Sequence, residues 1–273
     1  MRFKKVYIEI TNACNLHCPF CSSAKRLQQF MNTEDFAYIL DEIAPFCKFI
    51  YLHVLGEPLL HPSFPELLRI AHEKGFYVNL TTNATLLPKQ YTHIAEYVRQ
   101  VNLSLHADLN GQFPDYLTDC LYYGDILAQQ GVYISYRFWN RKHKEFDQAT
   151  KQMLKVIADH YNVRIDMQSR QKLAERRFLH MEEQFTWPSL SHSPLAVNGS
   201  CYGMRRQCAI LCDGSVVPCC LDAAGACCLG NIFAESFASI LEKEKTKQIT
   251  DGFQQGKIVD PLCQRCSYRM RFN

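Results

Sequence analysis

The residues with the clearest capacity for chemistry are cysteines, 14 of them in 273 residues. Three share one short loop, Cys14-Asn15-Leu16-His17-Cys18-Pro19-Phe20-Cys21. The loop follows a stretch in which Val6, Ile8 and Ile10 alternate with Tyr7 and Glu9, which is strand periodicity. Three thiolates in one loop can hold three irons of a four-iron cluster, whose usual complement is four cysteines. The missing fourth ligand leaves one iron open, as catalytic metal sites require. A zinc site completed by His17 or a distant cysteine competes with this reading, although zinc favours two separated pairs over a CxxxCxxC triplet.

Nine more cysteines lie beyond residue 200, where no room remains for strand–helix units. Cys201 is followed by Gly214 and Cys219, and the chain then runs to a Cys263-Gln264-Arg265-Cys266 pair. Residues 208–217 read as a hairpin turning at Asp213-Gly214, which would bring Cys201 and Cys219 close and let the CxxC supply two further ligands. Cys220 in place of Cys219, a second metal among Cys212, Cys220, Cys227 and Cys228, or a zinc at Cys263/Cys266 stay open. Cys47 and Cys120, and to a lesser degree Cys208, Cys212, Cys220, Cys227 and Cys228, read as small buried hydrophobes.

The elements that must position these groups follow from hydrophobic periodicity. Strands are expected at residues 6–10, 49–54, 76–81, 101–105, 132–138 and 163–167, with helices between them. Phe36, Ile39, Leu40 and Ile43 make one apolar helix face behind an Asn32 or Thr33 cap, and Ser63 with Glu66 forms a capping box for a second helix that Gly75 closes. Six alternations imply parallel strands with right-handed crossovers, in a partial barrel or a doubly wound sheet. The serine- and proline-rich run from Ser189 to Ser200 reads as a linker, giving domains at 1–188 and 199–273.

Composition excludes several classes. The net charge of +3 is too mild for a nucleic-acid binder. No apolar run reaches the roughly 18 residues of a membrane span, and no signal peptide is visible. With an ample core and no export signal, the thiols are expected reduced and metal-binding, in the cytoplasm.

The CxxxCxxC loop at the end of a first strand resembles the radical S-adenosylmethionine (SAM) superfamily. Leu55-Gly56-Glu57-Pro58, after the second strand, is similar to the family's Gly-Gly-Glu-Pro segment, with Leu55 where the first glycine is usual. The resemblance implies a partial (β/α)6 barrel in which Gly56 and Glu57 meet the cofactor's methionine amino group. It implies further cofactor contacts at Asn83 of Thr81-Thr82-Asn83, at Ser104 beside the ribose, and at Arg137, which would bind the cofactor carboxylate or a substrate anion. His106 shares a strand face with Ser104 as a further candidate, whereas His53 and His61 read as structural.

The segment beyond the linker resembles the SPASM and twitch auxiliary-cluster extensions of the same superfamily, here with one four-iron cluster on Cys201, Cys219, Cys263 and Cys266. The expected activity is reductive cleavage of S-adenosylmethionine to a 5′-deoxyadenosyl radical. Hydrogen abstraction from a small molecule, peptide or protein then follows, ending in net oxidation or modification. A non-catalytic electron carrier or redox sensor is the alternative. The electron donor would be a flavodoxin or ferredoxin, docking on the basic run Arg170-Gln171-Lys172 through Arg176-Arg177 unless that run is simply a solvated helix face.

Overall fold

The computed structural model describes residues 3–22, 25–107, 112–167 and 169–272. Ten strands and seven α-helices are described. They are β1 Lys5–Ile8, α1 Thr33–Ile43, β2 Phe49–Tyr51, α2 Phe64–Glu73, β3 Tyr77–Thr82, α3 Leu87–Tyr97, β4 Val98–Ser104, α4 Tyr116–Gln129, β5 Tyr133–Arg141 and α5 Gln148–Tyr161. There follow β6 Arg170–Ala174, β7 Arg177–Glu183, β8 Gln207–Ile210, β9 Ser215–Val217, β10 Gly230–Asn231, α6 Phe237–Glu242 and α7 Glu244–Gln254. No helix among the described residues is long and apolar enough to cross a membrane.

The chain forms two compact units. The first comprises residues 1–15, 20–77 and 185–273. Its strands run in the order β10-β9-β8-β1-β2. β1 pairs parallel with β2 on one side and with β8 on the other, Val6 lying opposite both Ile50 and Cys208. Strand β8 is thus a direct neighbour of the first strand. Helices α1 and α2 pack on each other and bury Ile39, Leu40 and Ile43 of one and Leu67, Leu68 and Ala71 of the other. Asn32 caps α1 by accepting from the Asp35 N–H at 2.6 Å, as its side chain predicts. α6 is drawn to α1 by the Phe237 N–H, which donates to the Glu42 carboxylate at 2.7 Å, and by Phe237 packing on Phe3 and Phe46.

The second unit comprises residues 16–19 and 78–184, with strand order β3-β4-β5-β7-β6. β3, β4, β5 and β7 are parallel, and β6 returns antiparallel along β7. Leu80, Val101, Leu103, Ile134, Tyr136, Phe138, Leu179 and Met181 fill its interior.

Three expectations are corrected. Residues 163–167 are not a strand. Asn162 ends α5 in the left-handed region and Met167 is left-handed as well, so the alternating Val163 and Ile165 lie in irregular chain between two bends. The strand that joins β5 is β7, later in sequence. Ser63 makes no side-chain cap on α2, its backbone at φ −98° and ψ 24° lying outside the extended geometry of a cap, and Glu66 pairs with Arg69 instead. The basic run is a β-hairpin, not a helix face. Within it Arg177 pairs with Asp125, Arg176 donates to the Gly131 carbonyl at 2.8 Å, and Arg170 lies over the Phe178 ring.

Candidate functional site

The three-cysteine loop leaves the end of β1, with Cys14 and Cys21 counted in the first unit and Cys18 in the second. The base of the loop is closed by an isolated antiparallel bridge between Thr11 and Phe30 and by two polar side chains. Thr11 donates its hydroxyl to the Gln29 carbonyl at 2.8 Å. Asn12 bonds both ways, accepting from the Gln29 N–H and donating to the Leu27 carbonyl, each at 2.8 Å. The outgoing and returning chain are therefore held in register while Cys14 and Cys18 stay half-buried and Cys21 exposed.

The Gly56-Glu57 segment lies directly against this base. The Glu57 N–H donates to the Ala13 carbonyl at 2.8 Å. Gly56 has φ +75°, and a Cβ there would stand 2.4 Å from the Thr11 carbonyl oxygen and 2.8 Å from that of Ala13. Only glycine fits, both for its backbone angle and for the close approach. The buried Glu57 carboxylate accepts from the Leu59 N–H at 3.0 Å, capping a short 3-10 turn at Pro58–Leu60.

Beneath both segments sits Glu9, fully buried. Its carboxylate accepts twice from Arg26 Nη2, at 2.5 and 2.6 Å, and once each from the Leu55 N–H at 3.1 Å and the Cys212 N–H at 3.2 Å. Arg26 also donates Nε–H to the Ala223 carbonyl at 2.8 Å. One carboxylate thus ties the loop's return, the Leu55-Gly56-Glu57 segment and the β8–β9 hairpin together.

That hairpin turns at Asp213-Gly214 as the sequence suggests, Gly214 taking φ +83° and Ser215 N–H bonding the Asp213 carboxylate at 3.0 Å. Beyond it a pocket opens with about 360 Å³ of unfilled space, its mouth included, among Cys201, Cys219, Cys263 and Cys266. Pro188, Pro218, Leu221, Phe253 and Leu262 supply its apolar wall, and Asp222 and Arg269 its charges. Cys219 lines this pocket, and Cys220 packs on the neighbouring apolar cluster of Tyr7, Val54, Ala209 and Val217. Burial pushes the Cys219 and Cys263 thiols far up, and the surrounding sulfurs add to the rise. Burial also raises Cys201 and Cys266, opposed by backbone N–H groups and by the Arg269 guanidinium. Four such thiols can share this space as thiolates only around a cationic centre. No three His, Cys, Asp or Glu side chains among the described residues converge as ligands of a single ion would.

The other cysteines divide by exposure. Cys47, Cys120, Cys208, Cys212 and Cys227 are buried, and Cys120 is pushed up to about 12 by burial. Cys220 is half-buried and Cys228 is exposed, so those two depart from the expected small hydrophobe.

In the second unit Ser104 ends β4 and lies in register with Arg137 on β5, which in turn opposes His180 on β7. The Arg137 guanidinium stacks on the Trp139 ring, 5.1 Å from its centroid. His106 is past the strand end, in a turn, rather than on the β4 face with Ser104. Its Nδ1 is 3.1 Å from the Arg137 carbonyl, and burial lowers its pKa to about 4. Asn83 spends its side-chain oxygen on the Thr85 N–H and hydroxyl, at 3.0 and 2.8 Å, in the turn before α3. His61 is structural as expected, with Nε2 2.9 Å from the Met31 carbonyl and Nδ1 accepting from the Ser63 N–H.

Residues 8–111 match the family model of the radical SAM superfamily, and residues 201–267 match that of the SPASM iron–sulfur cluster-binding domain. Residues 8–111 are thus a radical SAM domain, and residues 201–267 a SPASM domain. It is 38% identical over 88 residues to the tungsten-containing aldehyde ferredoxin oxidoreductase cofactor-modifying protein of Pyrococcus furiosus, a match covering 31% of this chain and 25% of that protein. It is 34% identical over 88 residues to the PqqA peptide cyclase of Rhodopseudomonas palustris, covering 31% of this chain and 23% of the relative. The matched stretch spans about a quarter of the length of these curated relatives. The fold matches the crystal structure of BtrN in complex with AdoMet and 2-DOIA, with a TM-score of 0.65 at 16% identity over 98% of this chain and 94% of that one.

A radical SAM domain implies a four-iron, four-sulfur cluster and S-adenosylmethionine, and a SPASM domain implies auxiliary iron–sulfur clusters. The donor sets fit. A three-thiol loop anchored at both ends and a four-thiol pocket with mutually opposed charges are what those groups need. Sequence reasoning missed Glu9 and Arg269. Arg269 stands three residues after the last cysteine, a signal that spacing alone does not flag.

Proposed function

We propose that this chain is a radical SAM enzyme that abstracts hydrogen from a small-molecule or peptide substrate. The outcome would be net oxidation or modification of that substrate. The observation that carries the reading is the Gly56-Glu57 backbone laid against residues 11–13, at the root of the three-cysteine loop. Cys14, Cys18 and Cys21 would hold the first cluster, and Cys201, Cys219, Cys263 and Cys266 the second. When bound, the first cluster supplies the single electron that opens the sulfonium of S-adenosylmethionine.

The chain's own residues orient and shield. Thr11 and Asn12 fix the loop's base, and Glu9 holds that base to the Leu55-Gly56-Glu57 segment. Gly56 and Glu57 are proposed contacts of the cofactor's amino group, with Asn83, Ser104 and Arg137 as further cofactor contacts. The Asn83 oxygen is already engaged locally, so its contribution would come through its amide NH2. Arg137, pre-oriented on Trp139, suits a carboxylate. The peptide reading draws support from the PqqA peptide cyclase likeness, the small-molecule reading from the near-complete overlap with BtrN. A flavodoxin or ferredoxin remains the proposed donor.

The test is anaerobic reconstitution with iron and sulfide, then incubation with S-adenosylmethionine and dithionite. 5′-Deoxyadenosine is read by chromatography and mass spectrometry. The parent chain is expected to form it and Cys18→Ala to form none. Persistence of the product in Cys18→Ala, or its absence from parent protein carrying iron, overturns the proposal.

A further inference from the structure

Arg269 is the largest fully buried side chain among the described residues, only 1% exposed. A guanidinium carries five N–H donors and a permanent charge, so burying it calls for anionic or strongly accepting partners. Here the partners are weak. Nη1 reaches the Asn198 carbonyl at 3.5 Å, Nη2 reaches the Met270 sulfur at 3.7 Å, and Nε has no hydrogen-bond partner. None of the ion pairs among the described residues includes it. Yet it lines the four-cysteine pocket, and its charge opposes the burial-driven rise of Cys201 and Cys266. An under-satisfied buried cation beside four thiols is half of a charge arrangement.

We propose that Arg269 is the built-in counter-charge of an auxiliary cluster in this pocket, and that it raises that cluster's reduction potential. The inference rests on the reading of Cys201, Cys219, Cys263 and Cys266 as ligands of a four-iron cluster. Four thiolates around a doubly positive core leave a net double negative charge. Reduction adds one electron and no proton, making the charge triply negative. A fixed positive charge in the cluster's wall stabilises the reduced form more than the oxidised one, so the potential moves up. Backbone N–H groups from Tyr202 and Gly203 toward Cys201, and from Tyr268 and Arg269 toward Cys266, act in the same direction.

The test uses the full chain with Cys14, Cys18 and Cys21 each replaced by Ala, so that the auxiliary cluster is observed alone. Arg269→Gln and Arg269→Lys are made in that background and reconstituted anaerobically. Iron is counted, and the midpoint potential is measured by dithionite titration with mediators under electron paramagnetic resonance. About four irons per chain are expected in all three proteins. The midpoint of Arg269→Gln is expected to be more negative than the background, with Arg269→Lys recovering most of the difference. Loss of iron in Arg269→Gln but not in Arg269→Lys also upholds the counter-charge. An unchanged or more positive midpoint in Arg269→Gln, a Lys variant that behaves like the Gln variant, or iron lost from both, overturns it. A background protein that takes up no iron overturns instead the assignment of the four cysteines, a separable result.

Discussion

Glu9→Gln is the substitution whose cost the geometry fixes most directly. The side chain keeps its shape, but one of two acceptor oxygens becomes a donor. Arg26 loses a bidentate charge partner, and either the Leu55 or the Cys212 N–H faces another N–H. Removing one member of a buried ion pair costs about 3–5 kcal/mol. Arg26 is 16% exposed and keeps the Ala223 carbonyl, which places its share near the lower end, about 3 kcal/mol. The orphaned backbone N–H adds about 1 kcal/mol. At roughly 2–4 °C per kcal/mol for a chain of this size class, Tm falls by roughly 8–16 °C. The assay is thermal unfolding by circular dichroism for the parent, Glu9→Gln, Arg26→Met and the double variant. Because the double variant leaves no uncompensated charge, it is expected to lose less than the two single losses combined. A Glu9→Gln protein within about 0.5 kcal/mol of the parent, or strictly additive losses, refutes the reasoning.

Other outcomes follow from single positions. Gly56→Ala drives a methyl into the Thr11 carbonyl from a left-handed backbone, so it is expected to lower Tm and strip iron from the loop at Cys14, Cys18 and Cys21, both read on reconstituted protein. Cys219→Ala is expected to lose about half the bound iron while 5′-deoxyadenosine still forms without substrate turnover; full iron retention argues against the four-cysteine pocket. His106 has its pKa lowered to about 4 by burial, against roughly 6.5 when unfolded. Between those values the unfolded chain binds the proton first, so stability falls as pH drops from about 6.5 to about 4. His106→Gln should flatten that limb in urea unfolding series, and an unchanged slope refutes the assignment.

Much of the site was legible because spacing alone encodes it. The CxxxCxxC loop, the Asp213-Gly214 turn and the Asn32 cap are local signals, and the structure shows the last two in place. What stayed hidden depends on long-range packing. Alternation sets Glu9 apart from Val6, Ile8 and Ile10, yet just past the end of β1 its carboxylate is buried among donors from as far away as Cys212. The stretch at 163–167 has strand periodicity yet is flanked by left-handed residues, so the pairing place beside β5 goes to β7. Burial of an arginine at position 269 runs against composition-based expectation. It follows from the tail folding back onto the cysteine pocket, which no local pattern announces.

The parallel pairing of β1 with β8 also governs the order in which the molecule can be completed during synthesis. β1 leaves the ribosome well before its neighbour on one edge, and the Cys212 amide that meets Glu9 lies 203 residues downstream of it. Until then β1 has an open edge and Glu9 is short of a donor, while the loop thiols of Cys14, Cys18 and Cys21 are already outside. A nascent chain built this way profits from staying reduced and chaperoned until β8 arrives, because sulfur exposed early is joined late by the scaffold that steadies it.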